Sequence, residues 1–154
     1  MKNTIFKFGF YGFLLSLGLF LGGILVGDNL GLSEAEIIGY LTIVASLIFV
    51  FFGIKHFRDN INNGIVSFGK AVGIGLGIAV FAAAGVAIAD FIYTTVINPN
   101  FFEEYEAAMR AKGNTEEIPD WGSGFTALVM FMTVLIIGLI ISLISALILQ
   151  RKTT

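Results

Sequence analysis

The chain has 154 residues, of which 56% are apolar and 13% charged, with a formal net charge of −2. A soluble domain carries about 25% charged residues, and a disordered chain is poor in apolar side chains. The balance therefore excludes a disordered chain, a nucleic-acid binder built on a basic surface and almost every soluble enzyme fold, and it points to an integral membrane protein.

Four apolar runs occupy residues 8–26, 37–54, 71–97 and 125–149, and of the 20 charged residues only Asp90 lies inside them. A hydrocarbon core about 30 Å thick takes roughly 20 helical residues to cross, a length each run meets or nearly meets. Backbone groups in lipid must bond within their own segment, so the runs are expected to be helices. They are continuous rather than alternating every second residue, which argues against a β-barrel. The length fits a single integral membrane domain over residues 1–154. The first run follows Lys2 and Lys7 as a signal peptide would, but it is long and no Ala-x-Ala pattern follows, so a retained first helix is expected.

The segments between the runs set the expected orientation. Lys2, Lys7, Lys55, Arg58, Lys70, Arg151 and Lys152 share one side, whereas only Arg110 and Lys112 lie on the other. Cytoplasmic loops are enriched in Lys and Arg, so both termini and the 55–70 loop are expected in the cytoplasm. All acidic residues outside the runs except Asp59 fall on the opposite side. Tyr11, Tyr93 and Trp121 stand near span ends, where aromatic side chains anchor at the interface.

In the outer 98–124 loop, Asn98-Pro99-Asn100 ends the third helix and is suited to cap a new one. Phe101, Phe102, Tyr105 and Met109 recur at helical spacing. Glu103, Glu104 and Glu106 fill the first turns, Arg110 and Lys112 the last, and Gly113 follows as a C-terminal cap. A short amphipathic helix is predicted over 101–112, lying on the membrane surface or across the bundle mouth.

The inner loop holds the turn signal Asn60-Ile61-Asn62-Asn63-Gly64. The run Asn63-Gly64-Ile65-Val66-Ser67-Phe68-Gly69-Lys70-Ala71, and Val96-Ile97-Asn98-Pro99-Asn100-Phe101 beyond the third span, resemble the signatures of a bacterial four-helix membrane family, domain of unknown function 4199. The resemblance covers essentially the whole chain and implies an inner-membrane protein of Gram-negative bacteria with no assigned activity. It transfers no catalytic residue.

Asp90 is the principal candidate for chemistry. It stands seven residues before Ile97, about 10 Å below the outer end of the third span at 1.5 Å per residue. An intramembrane carboxylate marks a functional site by default, in proton or cation handling. The structural alternative is a hydrogen bond to another helix or exposure to a wet vestibule, with Tyr93, Thr94, Ser16, Ser46 and Thr126 as candidate partners. Gly69, Gly73 and Gly77 form a small-residue stripe, as do Gly18 with Gly22 and Gly138 with Ser142; such stripes let helices approach closely, within the bundle or between copies of it. Lys55, Arg58 and Lys70 are placed to meet anionic headgroups. With no cysteine and one histidine, His56, no disulfide, thiolate metal site or histidine pair is available. The acidic loop lacks EF-hand spacing, and Gly73–Gly77 lacks the strand context of a phosphate loop. No nucleophile, base and orienting group come together.

The expected fold is thus all-α, a bundle of four transmembrane helices with a short amphipathic helix between the third and fourth. The expected function is that of a non-enzymatic scaffold or accessory subunit without metal or cofactor. Its partners are the lipid bilayer and either a second copy or another membrane protein, not nucleic acid. A small transporter or channel subunit using Asp90 is the competing expectation.

Overall fold

The computed structural model of the chain describes residues 1–27, 32–114 and 121–151. Asp28, Glu116, Glu117, Asp120 and Lys152, used above for loop charge, lie outside the described residues. Among these residues six α-helices follow in order: α1 (Lys2–Gly27), α2 (Leu32–Ser46), α3 (Ile48–His56), α4 (Phe68–Ile92), α5 (Phe101–Ala111) and α6 (Gly122–Leu149). Among the described residues four stretches are long and apolar enough to cross a membrane: Lys2–Gly23, Ile37–Ile61, Phe68–Ile97 and Gly122–Leu149.

The helices outrun the apolar runs at both ends of the pattern. α1 begins at Lys2, six residues before residue 8 of its run, because a lysine stem packs as an apolar chain while its head reaches water. The second crossing is not one straight helix. It breaks at Leu47, between α2 and α3, where the Ser46 hydroxyl donates to the Ile43 carbonyl at 2.7 Å. The ladder tightens there, with Val50 N–H donating to the Leu47 carbonyl three residues back at 3.0 Å. α3 continues past His56 into a π turn, Phe57–Ile61, and α4 ends in another, Tyr93–Ile97. Each is closed by an asparagine: Asn62 N–H donates to Phe57 O at 3.0 Å and Asn98 N–H to Tyr93 O at 2.8 Å.

α4 is the central helix: half of its most apolar window is buried, against 17% for those of α1 and α6. Its buried residues are mostly small, with Ala71, Gly75, Ala79, Ala82, Ala83, Gly85 and Ala89 between Ile74, Ile78 and Val86. Lipid tails are as apolar as leucine, so association rests on close van der Waals packing, which small residues permit. α1 runs parallel to α4: Ile5 lies at Gly77, the Phe81 side chain at Gly9, and Phe13 and Ser16 at Gly85. α6 runs antiparallel to it, with Ser142 at Gly75 and Gly138 at Ala79. Leu47, Val50 and Ile54 from the second crossing complete the core. The outer faces carry Leu128, Ile136, Ile140, Ile144 and Ile148 of α6 and Phe6, Phe10 and Leu14 of α1, all exposed, which is the surface a hydrocarbon solvent requires.

The asparagine expected to cap α5 does so differently. Helix α5 starts after Asn100, whose side chain makes no cap hydrogen bond. Instead Asn98 Nδ2 donates to Glu104 Oε2 at 2.9 Å, and the Tyr93 and Phe101 rings meet edge to face at 5.4 Å. No residue of α5 is fully buried. Arg110 reaches back one turn to Glu106 at 2.5 Å, and Gly113, at φ +87°, turns the chain away from the helix.

Candidate functional site

Asp90 lies on the buried face of α4, one turn before its π turn, and is 6% exposed. The antiparallel register that sets Gly75 against Ser142 and Ala79 against Gly138 brings Thr126, near the start of α6, to the level of Asp90. The Thr126 hydroxyl donates within its own helix, to the Ser123 carbonyl at 3.0 Å. Asp90 Oδ2 is buried without a hydrogen-bond partner among the described residues. An unmade bond to a buried polar atom costs about 1–3 kcal/mol, so this oxygen is a place where a proton, a cation or a water molecule would be stabilised.

Of the expected partners, Thr126 stands at the level of the carboxyl on the facing helix. Thr94 is buried, but its hydroxyl donates at 3.0 Å to the main-chain oxygen of Asp90. Tyr93 turns away from the carboxyl to pack on Phe101, with its hydroxyl 3.5 Å from Asn98 Nδ2. Ser16 and Ser46 bond to carbonyls of their own helices.

The opposite end of the bundle is tied by a clasp. Arg58 is 9% exposed. Its Nε donates to Asp59 Oδ1 at 2.6 Å, its Nη2 to Asp59 Oδ2 at 3.1 Å, and its Nη1 to the Leu149 carbonyl at 3.3 Å. The guanidinium thus satisfies one of the orphan carbonyls at the end of α6, where the helix dipole favours a cation. A two-way backbone bridge joins the same places: Val66 N–H to Arg151 O at 3.2 Å, and Arg151 N–H to Val66 O at 2.9 Å. The turn that presents Val66 uses Asn63 at φ +52° and Gly64 at φ +81°, and Gly64 N–H donates to Arg58 O at 2.7 Å. The expectation that Arg58 meets lipid headgroups is corrected accordingly: its charge is held inside the clasp. Lys55 and Lys70 are exposed.

The glycine stripe divides. A Cβ on Gly77 would stand 2.9 Å from Ile5, whereas at Gly69 and Gly73 it would meet nothing within 4 Å. Of the two roles expected for the stripe, packing inside the bundle falls to Gly77 and not to Gly69 or Gly73, because the face they share with Gly77 turns outward toward the start of α4. Gly138 stands against Ala79, where an added Cβ would sit at 2.5 Å, and Ser142 is buried against Gly75. The sequence reading missed Gly53, Gly75 and Gly85, where a Cβ would collide with Ile78, Ser142 and Ser16 respectively. The nearest signal was the alternation Gly73-Ile74-Gly75-Leu76-Gly77, which places glycines on two faces of α4 and leaves open which of them is covered.

Among the described residues no group of three or more His, Asp or Glu side chains is gathered where a metal ion would need them. Fold and site together define an all-α protein with, among the described residues, four helices long and apolar enough to cross a membrane, a buried carboxylate near one end and an arginine clasp at the other. Residues 7–151 match the family described as a protein of unknown function, DUF4199, and the chain belongs to that family. No curated protein and no solved structure matches it.

Proposed function

We propose that the chain is a non-enzymatic membrane protein that acts through its helix surfaces, as a scaffold or accessory subunit of a larger assembly. The observation that carries this reading is the exposed Gly69–Gly73 ridge on α4, with nothing within 4 Å of either Cβ position. A glycine inside a helix costs about 1 kcal/mol relative to alanine, and here the fold takes no close contact in return. A second helix seated on the ridge would supply that contact, because small residues four apart are what close helix approach requires. The partner is a second copy or another membrane protein. We place the protein in a bacterial inner membrane with both termini in the cytoplasm, where the Lys and Arg excess lies, and α5 in the opposite interface. Cross-linking in native membranes tests the reading. The wild type is expected to give a defined adduct that Gly73→Ile abolishes, and a clean monomer in both would overturn it.

One observation favours a second reading. The unpartnered Asp90 Oδ2 supports proton or cation handling in a small transporter or channel subunit. Ion flux into proteoliposomes that Asp90→Asn abolishes would carry it; equal flux from both proteins, or none from either, would end it.

A further inference from the structure

The clasp end of the bundle holds an open groove of about 390 Å³ between α1 and α3. Its wall is Phe8, Phe49 and Phe52, and its rim is Lys55, His56 and Asn60. We propose that this groove binds one anionic phospholipid, its phosphate on the rim and an acyl chain along the phenylalanine wall.

The wall is preorganised. Phe8 and Phe49 pack at 6.5 Å between ring centroids, Tyr11 braces Phe49 at 5.8 Å, and Phe8 lies 5.2 Å from the His56 ring. The rim offers donors of the right kind. Asn60 Nδ2 stands 2.8 Å from His56 Nδ1; when the amide donates there, the ring proton sits on Nε2 and becomes a second donor. Lys55 is exposed beside them, and Lys7 Nζ lies 5.6 Å from the ring centroid of Phe8, one of the wall residues.

Asp59 also lines the groove, and an uncompensated carboxylate there would repel a phosphate. Arg58 holds it through two hydrogen bonds, so that pair is neutral and the balance of the mouth is positive. The clasp thereby sets the charge of the groove as well as securing α6. The occupant is a lipid rather than free phosphate because an inorganic anion makes no use of three phenylalanines. The groove sits where α1 and α3 end at the basic side, the level at which a headgroup lies and where basic pockets between helices hold anionic lipids.

The test uses the purified full-length chain and native mass spectrometry, with phosphatidylglycerol and phosphatidylcholine of identical acyl chains in competition. Preferential retention of phosphatidylglycerol is expected. K55Q is expected to weaken it about five-fold, K7Q to weaken it in the same direction, and K70Q, an exposed lysine away from the groove, to leave it unchanged. Both diagnostic side chains are on the surface, so folding should survive either change; should one variant fail to fold, the other carries the comparison. Equal retention of the two lipids would overturn the proposal, as would a loss in K70Q as large as in K55Q. Displacement by millimolar inorganic phosphate would equally overturn it, in favour of a simple anion site.

Discussion

Replacing Gly85 by alanine tests the packing of the whole bundle through one methyl group. The added Cβ would stand 2.7 Å from the Phe13 carbonyl oxygen and 3.3 Å from Phe13 Cα, with the Ser16 hydroxyl closer still. Ordinary contact begins near 3.4 Å, so α1 or α4 has to yield by several tenths of an ångström. The obstacle is main chain, which no rotamer change can clear. α1 is also seated on α4 through Ile5 at Gly77 and Phe81 at Gly9, so the shift has to be absorbed along the interface. Overpacking of this kind costs about 1–3 kcal/mol. Gly73→Ala is the matched control: its Cβ enters open space, and the gain in helix propensity is about 1 kcal/mol at most. Both are to be measured by reversible unfolding in mixed micelles at increasing dodecyl sulfate fraction. Gly85→Ala should shift the midpoint down, and Gly73→Ala should leave it unchanged or raise it. Equal stability of Gly85→Ala and wild type, or a larger loss in Gly73→Ala, would refute the α1–α4 register.

Arg58→Gln should loosen the clasp. It removes charged hydrogen bonds worth about 1.5–3 kcal/mol each where buried, and hydrogen exchange at the last turn of α6 is expected to quicken while K55Q leaves it unchanged. Gly64→Ala places a Cβ on a residue at φ +81° and should cost about 1–2 kcal/mol of stability, read in the same micelle titration; no change would mean that the turn relaxes to another conformation.

The number of crossings, their helical state and the scarcity of charge within them were legible in the chain, because a lipid solvent imposes length and backbone self-sufficiency on any segment that enters it. Asp90 stood out for the same reason, and Thr126 was among its expected partners. The sequence by itself thus determined how many crossings there are, roughly where they lie and which polar residue is anomalous, but not that the second crossing divides into two helices. Tertiary structure decided the rest. Whether Gly73 or Gly75 is covered depends on how α4 rotates between α1 and α6, and apolar residues surround α4 so evenly that no amphipathic face reveals it. The role of Arg58 rests on a contact with a carbonyl 91 residues away, which no local pattern encodes. Tyr93 is taken up by a ring contact with Phe101 of α5, which its spacing from Asp90 does not reveal. These outcomes were set by register and rotation between helices, which are fixed only when small residues on one helix meet the side chains of another.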